Sequence, residues 1–479
     1  MGNVIAWKNG ESGEPYFPAS FKIVRKAVLQ VTDIKTNRNK YYAIELHSTE
    51  EKGKAYFRVY THYGRTDDLE TNPDSGQKEC RYFETLPEAE GNYQSIYAQK
   101  TSARKGYKEI SLASSKIGSQ QARGTSSGEV DAKTIEKIEK AQKGEVKKPA
   151  SLNLPPEIKD LVAYLFSEAT SALTSTVAAK ITANGIETPL GVLTIGQIEK
   201  GEAILTELYQ AITGNSGSKR ARLEDLSGQF YTLIPHRIGR SRDAVAAAVI
   251  DSVAQFGEKQ DTLQLMKDML QVNGAEGNVL YAAQIDEQYK SLNAEISPVE
   301  KSMPEYRDLE SYVLKSQVKS KNIKIANIFK LRRPHEAMEF AEQIGNQRLL
   351  FHGSRIQNWV GLLSRGILLP KVVVNLGVNR TDAGWLGNGI YFGDAACTSA
   401  FYTTPGRKHT RFMAIANVAL GKMKDFNKIT YGITEPPPGY HSCHGVRRTW
   451  RTSSQFDDDE YVIYDGKQKR MDYLVEFTA

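Results

Sequence analysis

The segments that decide the fold of the last third of the chain are Phe351-His352-Gly353-Ser354, then Gly389-Ile390-Tyr391-Phe392, then Asp459-Glu460-Tyr461. Each lies beside a short apolar run that is typical of a buried strand. Further strand-like runs occur at 323–331, 412–418 and 473–477, and helices are predicted at 305–316, 335–344 and 359–366. Because few of these elements alternate as strand–helix–strand units, the sequence predicts a mixed sheet over 275–479.

The composition predicts a soluble multidomain protein. A chain of 479 residues is too long for one ordinary hydrophobic core, so two to four domains are expected. With 40% hydrophobic residues and no apolar run near 20 residues, no membrane association is expected. The three cysteines show no C-x-x-C spacing, which favours a reducing compartment over a disulfide framework. The net charge of +7 permits nucleic-acid binding without requiring it.

The first 110 residues are predicted to form a small β-rich domain. Lys40–His47 and Ala55–His62 are rich in β-branched and aromatic residues and flank a turn with Gly53, as in a hairpin. A helix is predicted at 86–97. In 111–150 Ser, Gly, Gln and Lys dominate, and this composition predicts a flexible linker.

A helical bundle is predicted for 151–274. Pro155-Pro156 precede an apolar pattern of helical spacing, and Thr194-x-x-Gln197 has the form of a capping box. Two later helices are predicted at 244–256 and 263–272. The expected fold class is therefore multidomain α+β: a β-rich domain, an all-α bundle and a mixed-sheet domain.

Four short segments of the last third carry a family resemblance. Phe351–Ser354, Gly387–Phe392, Ser399–Tyr402 and Asp459–Tyr461 occur in an order and spacing that resembles the catalytic domain of the poly(ADP-ribose) polymerase family. Phe456-Asp457-Asp458-Asp459-Glu460 is similar to the vault-associated branch of that family. The resemblance implies an ADP-ribosyltransferase that consumes NAD as its substrate and needs no metal.

The two preceding regions also resemble domains of this family. Pro189-Leu190-Gly191 and Phe230–His236 resemble its regulatory helical domain. Tyr63-Gly64-Arg65 stands where the WGR domain has its Trp-Gly-Arg tripeptide, with Tyr63 in place of Trp. The implied partners are acceptor proteins, which can include the chain itself, and DNA ends or nicks contacted by Arg65, Lys100 and Lys105. The combination of these domains favours a nuclear location, with a cytoplasmic location as the alternative.

The resemblance implies a role for each residue of the catalytic segments. His352 is expected to bind the adenine-side ribose, and Gly353 and Ser399 the nicotinamide amide. Tyr391 and Tyr402 are expected to stack on the nicotinamide ring. Glu460 is expected to stabilise the positive charge that develops on the ribose when the glycosidic bond breaks. The remaining residues expected on the NAD-facing segment are Ser354 and Gly361.

Several departures and alternatives stay open. Thr398 replaces a basic residue that the family often has before its nicotinamide serine, and a missing arginine contact could be supplied by Arg380. The first alternative function is a DNA-independent mono-ADP-ribosyltransferase of a large ribonucleoprotein. The second is a silenced scaffold that binds DNA or ADP-ribose. His441-x-x-His444 beside Cys443 has no fourth ligand nearby in the sequence, so no metal site is predicted there.

Overall fold

The computed structural model describes residues 4–132, 135, 152–182, 185–214, 219–239, 241–274, 285–318, 320–369 and 384–479. The chain divides into two compact units. One is made of 1–147 and 173–270, and the other of 148–172 and 271–479. No helix within the described ranges is long and apolar enough to cross a lipid bilayer.

The first unit contains an antiparallel sheet in the order β1-β5-β4-β3-β2-β6. Its strands are β1 Trp7–Lys8, β2 Lys22–Asp33, β3 Arg38–Glu51, β4 Lys54–Arg65, β5 Gln77–Phe83 and β6 Lys108–Glu109. The predicted hairpin is confirmed, because β3 and β4 pair from Lys40–Arg65 to Glu51–Lys54. Helix α1 (Leu86–Thr101) packs on this sheet through Ala89 and Tyr93. At its start, Thr85 and Glu88 form a reciprocal capping box.

The segment 111–128 differs from the flexible linker that its composition predicts. Leu112–Ser115 form strand β7, which pairs with β10 (Gly191–Leu193) in a sheet ordered β7-β10-β9-β8, with β8 at Lys180–Thr182 and β9 at Gly185–Glu187. Ile117 and Ala122 are fully buried. The buried Glu45 carboxylate accepts the Ser119 backbone N–H at 2.8 Å. A few buried contacts therefore order a segment whose mean composition is polar.

The helical region begins near the predicted proline pair. Its helices are α2 Pro156–Thr176, α3 Ile195–Thr213, α4 Lys219–Leu233, α5 Arg242–Ala247 and α6 Val253–Gly274. Thr194 caps α3 by accepting the Gln197 N–H at 3.1 Å, as predicted. The Gln197 side chain, however, accepts the Ser111 N–H at 3.0 Å and does not complete a capping box. The single helix predicted at 244–256 is wrong, because Ser252 starts a new helix by accepting the Gln255 N–H.

Helix α4 packs directly on strand β2 within the first unit. A Cβ atom on Gly228 would lie 2.8 Å from the Thr32 carbonyl oxygen, so only glycine permits this approach. Four residues later, the Thr232 hydroxyl accepts the Thr32 backbone N–H at 2.7 Å. The backbone of β2 in the β-rich domain is thus in direct contact with α4 of the helical region.

The second unit is built on a mixed sheet, as predicted. Its nine described strands have the order β11-β12-β19-β15-β13-β14-β18-β17-β16, and among them β16 and β17 run parallel while the other neighbours are antiparallel. The strands are β11 Glu295–Pro298, β12 Lys324–Arg332, β13 Gln347–Gly353, β14 Ile390–Gly393, β15 Arg411–Ala419, β16 Met423–Phe426, β17 Ser442–Gly445, β18 Glu460–Ile463 and β19 Lys469–Thr478. The helices are α7 Ile285–Ser291, α8 Pro304–Lys315, α9 Pro334–Glu339, α10 Trp359–Arg365 and α11 Ala396–Ala400.

The core of this unit holds the central strands in place. Phe351, Ile415, Val475 and Phe477 are fully buried in one cluster. The first part of α2 contacts the loop before β15, where Tyr164 lies over Gly406 and Asp160 pairs with Lys408 Nζ at 2.6 Å. β13, which carries one of the predicted site segments, is therefore held in place by the buried core through Phe351.

Candidate active site

Three neighbouring strands bring the predicted catalytic residues together. His352 is the penultimate residue of β13, Tyr391 lies in β14, and Glu460 starts β18. Gly393 of β14 is opposite both Phe351 of β13 and Glu460 of β18. Residues 108 positions apart in the sequence, from His352 to Glu460, thus lie within three adjacent strands.

The His352 imidazole is fixed by its neighbour strand. Its Nδ1 lies 2.9 Å from the Tyr391 carbonyl oxygen, which can only accept, so Nδ1 carries the proton. Burial lowers the pKa of His352, against the effect of this hydrogen bond, and keeps the ring neutral. In this tautomer Nε2 is an acceptor, suited to a hydroxyl of a sugar.

Gly353 is required by a close approach of α11. A Cβ atom at this position would lie 1.9 Å from the Ser399 carbonyl oxygen and 2.8 Å from its carbon. The packing of α11 against β13 therefore requires glycine at this position by itself. Ser399 itself is 4% exposed, and its Oγ would lie 3.6 Å from a Cβ on Gly393. The backbone of Gly353 accordingly lies against the backbone of Ser399, whose hydroxyl lies near Gly393.

The two predicted stacking tyrosines have different environments. The Tyr391 hydroxyl donates to the Gly387 carbonyl at 2.7 Å and accepts the Leu386 N–H at 2.9 Å, which fixes the ring. Tyr402 is 65% exposed, so its ring face is accessible. Burial raises the pKa of the Tyr391 phenol, local desolvation of its hydroxyl raises the pKa of the Tyr402 phenol, and the charge of Glu460 adds to the shift of each. Glu460 thus lies close enough to both tyrosines for its charge to act on their phenol groups.

Glu460 has the environment of a reactive carboxyl group. Burial, followed by the charge of Asp458, raises its pKa to about 7. Shifts of this size at a half-buried group beside a like charge are common in active sites. The arrangement can supply a negative charge close to a neutral imidazole and two aromatic rings.

The other predicted NAD-facing residues, Ser354 and Gly361, lie in the segment that follows β13 along the chain. Ser354 accepts a hydrogen bond from Asn358 at 3.1 Å, and Gly361 is buried in α10. Arg380 lies outside the described residues. Thr398 is partly buried and donates to Asp458 at 2.8 Å, so a neutral hydroxyl–carboxylate contact replaces the family's cation.

The predicted DNA-contacting residues are partly engaged within the β-rich domain. Arg65 forms an ion pair with Asp67 at 2.9 Å. The Lys100 ammonium lies 4.0 Å from the centre of the Tyr42 ring, and Tyr63 stacks on Tyr42 at 5.1 Å. Lys105 is partly exposed. Lys100 therefore contacts the aromatic cluster that contains the tyrosine in the tryptophan position, and Arg65 is held by Asp67.

A network of charged side chains beside Glu460 was not predicted from the sequence. Arg447 pairs with Asp394 at 3.0 Å, and His444 pairs with Asp459 at 2.8 Å and with Asp425 at 2.9 Å. The partners are up to 53 positions apart and meet only through the pairing of β14, β16, β17 and β18. The acidic run 457–460 is the one feature of the sequence that could have indicated this network. In the described part of the chain, no group of three or more His, Cys, Asp or Glu side chains is placed to hold a metal ion.

Comparison with known protein families matches three domains in order. The WGR domain matches 25–114, the poly(ADP-ribose) polymerase regulatory domain 152–289, and the poly(ADP-ribose) polymerase catalytic domain 303–479. The human protein mono-ADP-ribosyltransferase PARP4 is 35% identical over 68% of this chain and 18% of its own length. The chain thus spans less than a fifth of that relative.

Two other relatives match nearly the whole chain. The poly [ADP-ribose] polymerase of Sarcophaga peregrina is 27% identical over 94% of this chain and 45% of its own length. The human protein mono-ADP-ribosyltransferase PARP3 is 24% identical over 94% of this chain and 86% of its own. With its three domains matched in sequence order and His352, Tyr391 and Glu460 on adjacent strands, the chain belongs to the poly(ADP-ribose) polymerase family.

Proposed function

We propose that this protein cleaves the nicotinamide–ribose bond of NAD and transfers ADP-ribose to protein acceptors. The observation that carries the proposal is the convergence of His352, Tyr391 and Glu460 on three adjacent strands. NAD is the substrate, and its nicotinamide fits a region with the backbone of Gly353, the Ser399 hydroxyl and two tyrosine rings. His352 accepts a ribose hydroxyl at Nε2, because Nδ1 is already committed to Tyr391.

Glu460 performs the charge stabilisation in this proposal. As the bond between ribose C1′ and the nicotinamide nitrogen breaks, the bonding electron pair leaves with nicotinamide, which becomes neutral, and positive charge develops on the ribose. The ionised Glu460 stabilises that charge. The acceptor's nucleophilic oxygen or nitrogen then forms the new bond to C1′, and its proton passes to the Glu460 carboxylate.

The value of kcat/KM for NAD is expected to rise with pH through a midpoint near 7. Glu460 must be ionised to stabilise the ribose cation, and its pKa is raised to about 7, so protonation below that pH removes the active form. Steady-state NAD consumption across the neutral range measures this midpoint. Asp458→Asn is the diagnostic variant: loss of the neighbouring charge favours ionisation of Glu460, so the midpoint moves to lower pH. A flat profile in the parent protein contradicts this role.

Stimulation by DNA breaks is the second part of the proposal. Its support is the matched WGR domain together with the contact of α4 on β2, which joins the β-rich domain to the regulatory helices at Thr32. Strain or movement in β2 on binding DNA would act on α4 through this contact. A nuclear location follows from this proposal.

Binding to nicked DNA is expected to weaken steeply with salt, with a log–log slope of about −0.9 for each phosphate neutralised. Arg65→Gln should reduce the slope by about one such unit, because one cation is removed. The matched control is Lys52→Gln, since Lys52 is exposed in the turn at the opposite end of the β3–β4 ladder from Arg65. A slope that is flat in the parent, or reduced equally by both variants, contradicts this interface.

The length of the product separates polymer formation from transfer of single units. Labelled NAD is incubated with the protein, with and without nicked DNA, and the products are resolved by size. Long heterogeneous products that require DNA support a break-dependent polymerase, whereas single units formed without DNA support the mono-transferase alternative, which the identity to PARP4 favours. Absence of any labelling contradicts the proposed activity and leaves a binding scaffold.

A further inference from the structure

The direction of the Glu460 side chain depends on its backbone. Within the described part of the chain, no side chain pairs with or hydrogen-bonds to Glu460, and burial and the charge of Asp458 are its electrostatic influences. Its backbone is opposite Gly393 of β14 on one side and Gly445 of β17 on the other. Whatever fixes the start of β18 therefore determines where this carboxylate lies.

The residue before Glu460 is held by two cations from the β17 side. The Asp459 carboxylate lies 2.8 Å from His444 Nε2, accepts the Arg447 backbone N–H at 3.0 Å, and lies 3.6 Å from the Arg447 Nε. Burial opposes ionisation of Asp459, but these hydrogen bonds outweigh it and lower its pKa. Burial likewise opposes protonation of His444, yet Asp459 and Asp425 outweigh it and raise its pKa. Both nitrogens of the His444 ring face carboxylate oxygens, which accept hydrogen bonds when ionised, so the protonated imidazole satisfies both contacts.

The same two residues reach the neighbouring strands. The His444 ring stacks on Tyr461 at 4.7 Å with an interplanar angle of 5°. The Arg447 guanidinium pairs with Asp394 at 3.0 Å, directly after β14. Asp394 follows Gly393, which is opposite Glu460. His444 and Arg447 thus join β14, β17 and β18 at the point where Glu460 begins its strand.

We propose that His444 and Arg447 are positioning residues for the Glu460 carboxylate, an inference that rests on the proposed function. His444 contacts both Asp459 and Tyr461, so these two side chains lie on one face at the start of β18. Side chains alternate along a strand, so Glu460, between them, points to the other face. Contacts that hold Asp459 and Tyr461 fix the rotation of β18 about its axis. They therefore determine the direction in which the Glu460 side chain points. Misplacement of a catalytic group by about 1 Å can cost about 10²-fold in rate.

Steady-state kinetics of NAD consumption tests this with four variants. Arg447→Met removes the cation at similar volume, and His444→Phe keeps a ring against Tyr461 while losing both hydrogen bonds. Each should lower kcat by about 10–100-fold with KM for NAD within about threefold, because NAD contacts stay while Glu460 moves. Arg447→Lys should recover part of the loss, since it restores the charge. The control Arg448→Met removes the adjacent cation, which pairs with the exposed Asp457, and should leave kcat unchanged.

Amide hydrogen exchange over 456–463 gives a readout that does not require turnover. Exchange in Arg447→Met should be at least about tenfold faster than in the parent and in Arg448→Met, because the start of β18 opens locally. Parent-like kcat or parent-like protection in both Arg447→Met and His444→Phe overturns the proposal. If the parent protein consumes no NAD and the variants still show faster exchange, the proposed function is overturned, while the role of His444 and Arg447 in holding the start of β18 is supported.

Discussion

Replacement of Glu460 by Gln is expected to lower ADP-ribosyl transfer by about 10²–10³-fold, while the affinity for NAD stays within about threefold. The amide keeps the size of the side chain and removes the charge that stabilises the ribose cation. Because Glu460 forms no side-chain hydrogen bond or ion pair among the described residues, the substitution breaks no structural contact of this kind. The pH midpoint near 7 should also disappear from any residual activity.

Two measurements on the same preparation decide this prediction. Transfer is followed with labelled NAD, and NAD binding by calorimetry at a concentration where turnover is negligible. The control is Asp457→Asn, an exposed member of the same acidic run, which should retain full transfer. If Glu460→Gln abolishes NAD binding, Glu460 holds the substrate and does not act chiefly on the transition state.

The strands that carry the site could be predicted because each is a short buried run. Apolar side chains at Phe351, Phe392 and Val462 face the core, and their strands appear where the sequence places them. The order of these strands in the sheet does not follow from local pattern. Only the pairing of β13, β14 and β18 brings His352, Tyr391 and Glu460 together, and here the family resemblance supplied what periodicity could not.

Three features could not be predicted because they depend on partners distant in sequence. The polar segment 111–128 is ordered by Glu45 and by pairing with β10. Gln197 has the position of a capping residue but binds Ser111 instead. His444 and Arg447 have no local signal, since their carboxylate partners are at Asp394, Asp425 and Asp459. In each case a tertiary contact outweighs the local preference.

The substitution of Gly353 by Ala is expected to be the most damaging change to NAD binding, with a loss of affinity of at least about 100-fold, since a displaced backbone misplaces its hydrogen-bonding groups. A Cβ atom would lie 1.9 Å from the Ser399 carbonyl oxygen and 3.1 Å from Thr403 Cγ2. Backbone atoms cannot rotate away as a flexible side chain does, so β13 and α11 must separate. Gly353 and Ser399 both belong to the proposed nicotinamide region. Their separation would displace the groups that are expected to bind the nicotinamide.

The same overpacking should destabilise the unit by about 1–3 kcal/mol, which thermal unfolding measures together with binding. Gly466→Ala is the matched control in the same unit, because a Cβ there meets no atom within 4 Å. Ser399→Ala separates the two contributions: it removes one hydroxyl, keeps the backbone contact, and should weaken NAD binding by only about tenfold, as expected for one lost hydrogen bond. Parent-like NAD affinity in Gly353→Ala would show that β13 and α11 can separate without loss of the site, and the assignment of the nicotinamide region to Gly353 would then be wrong.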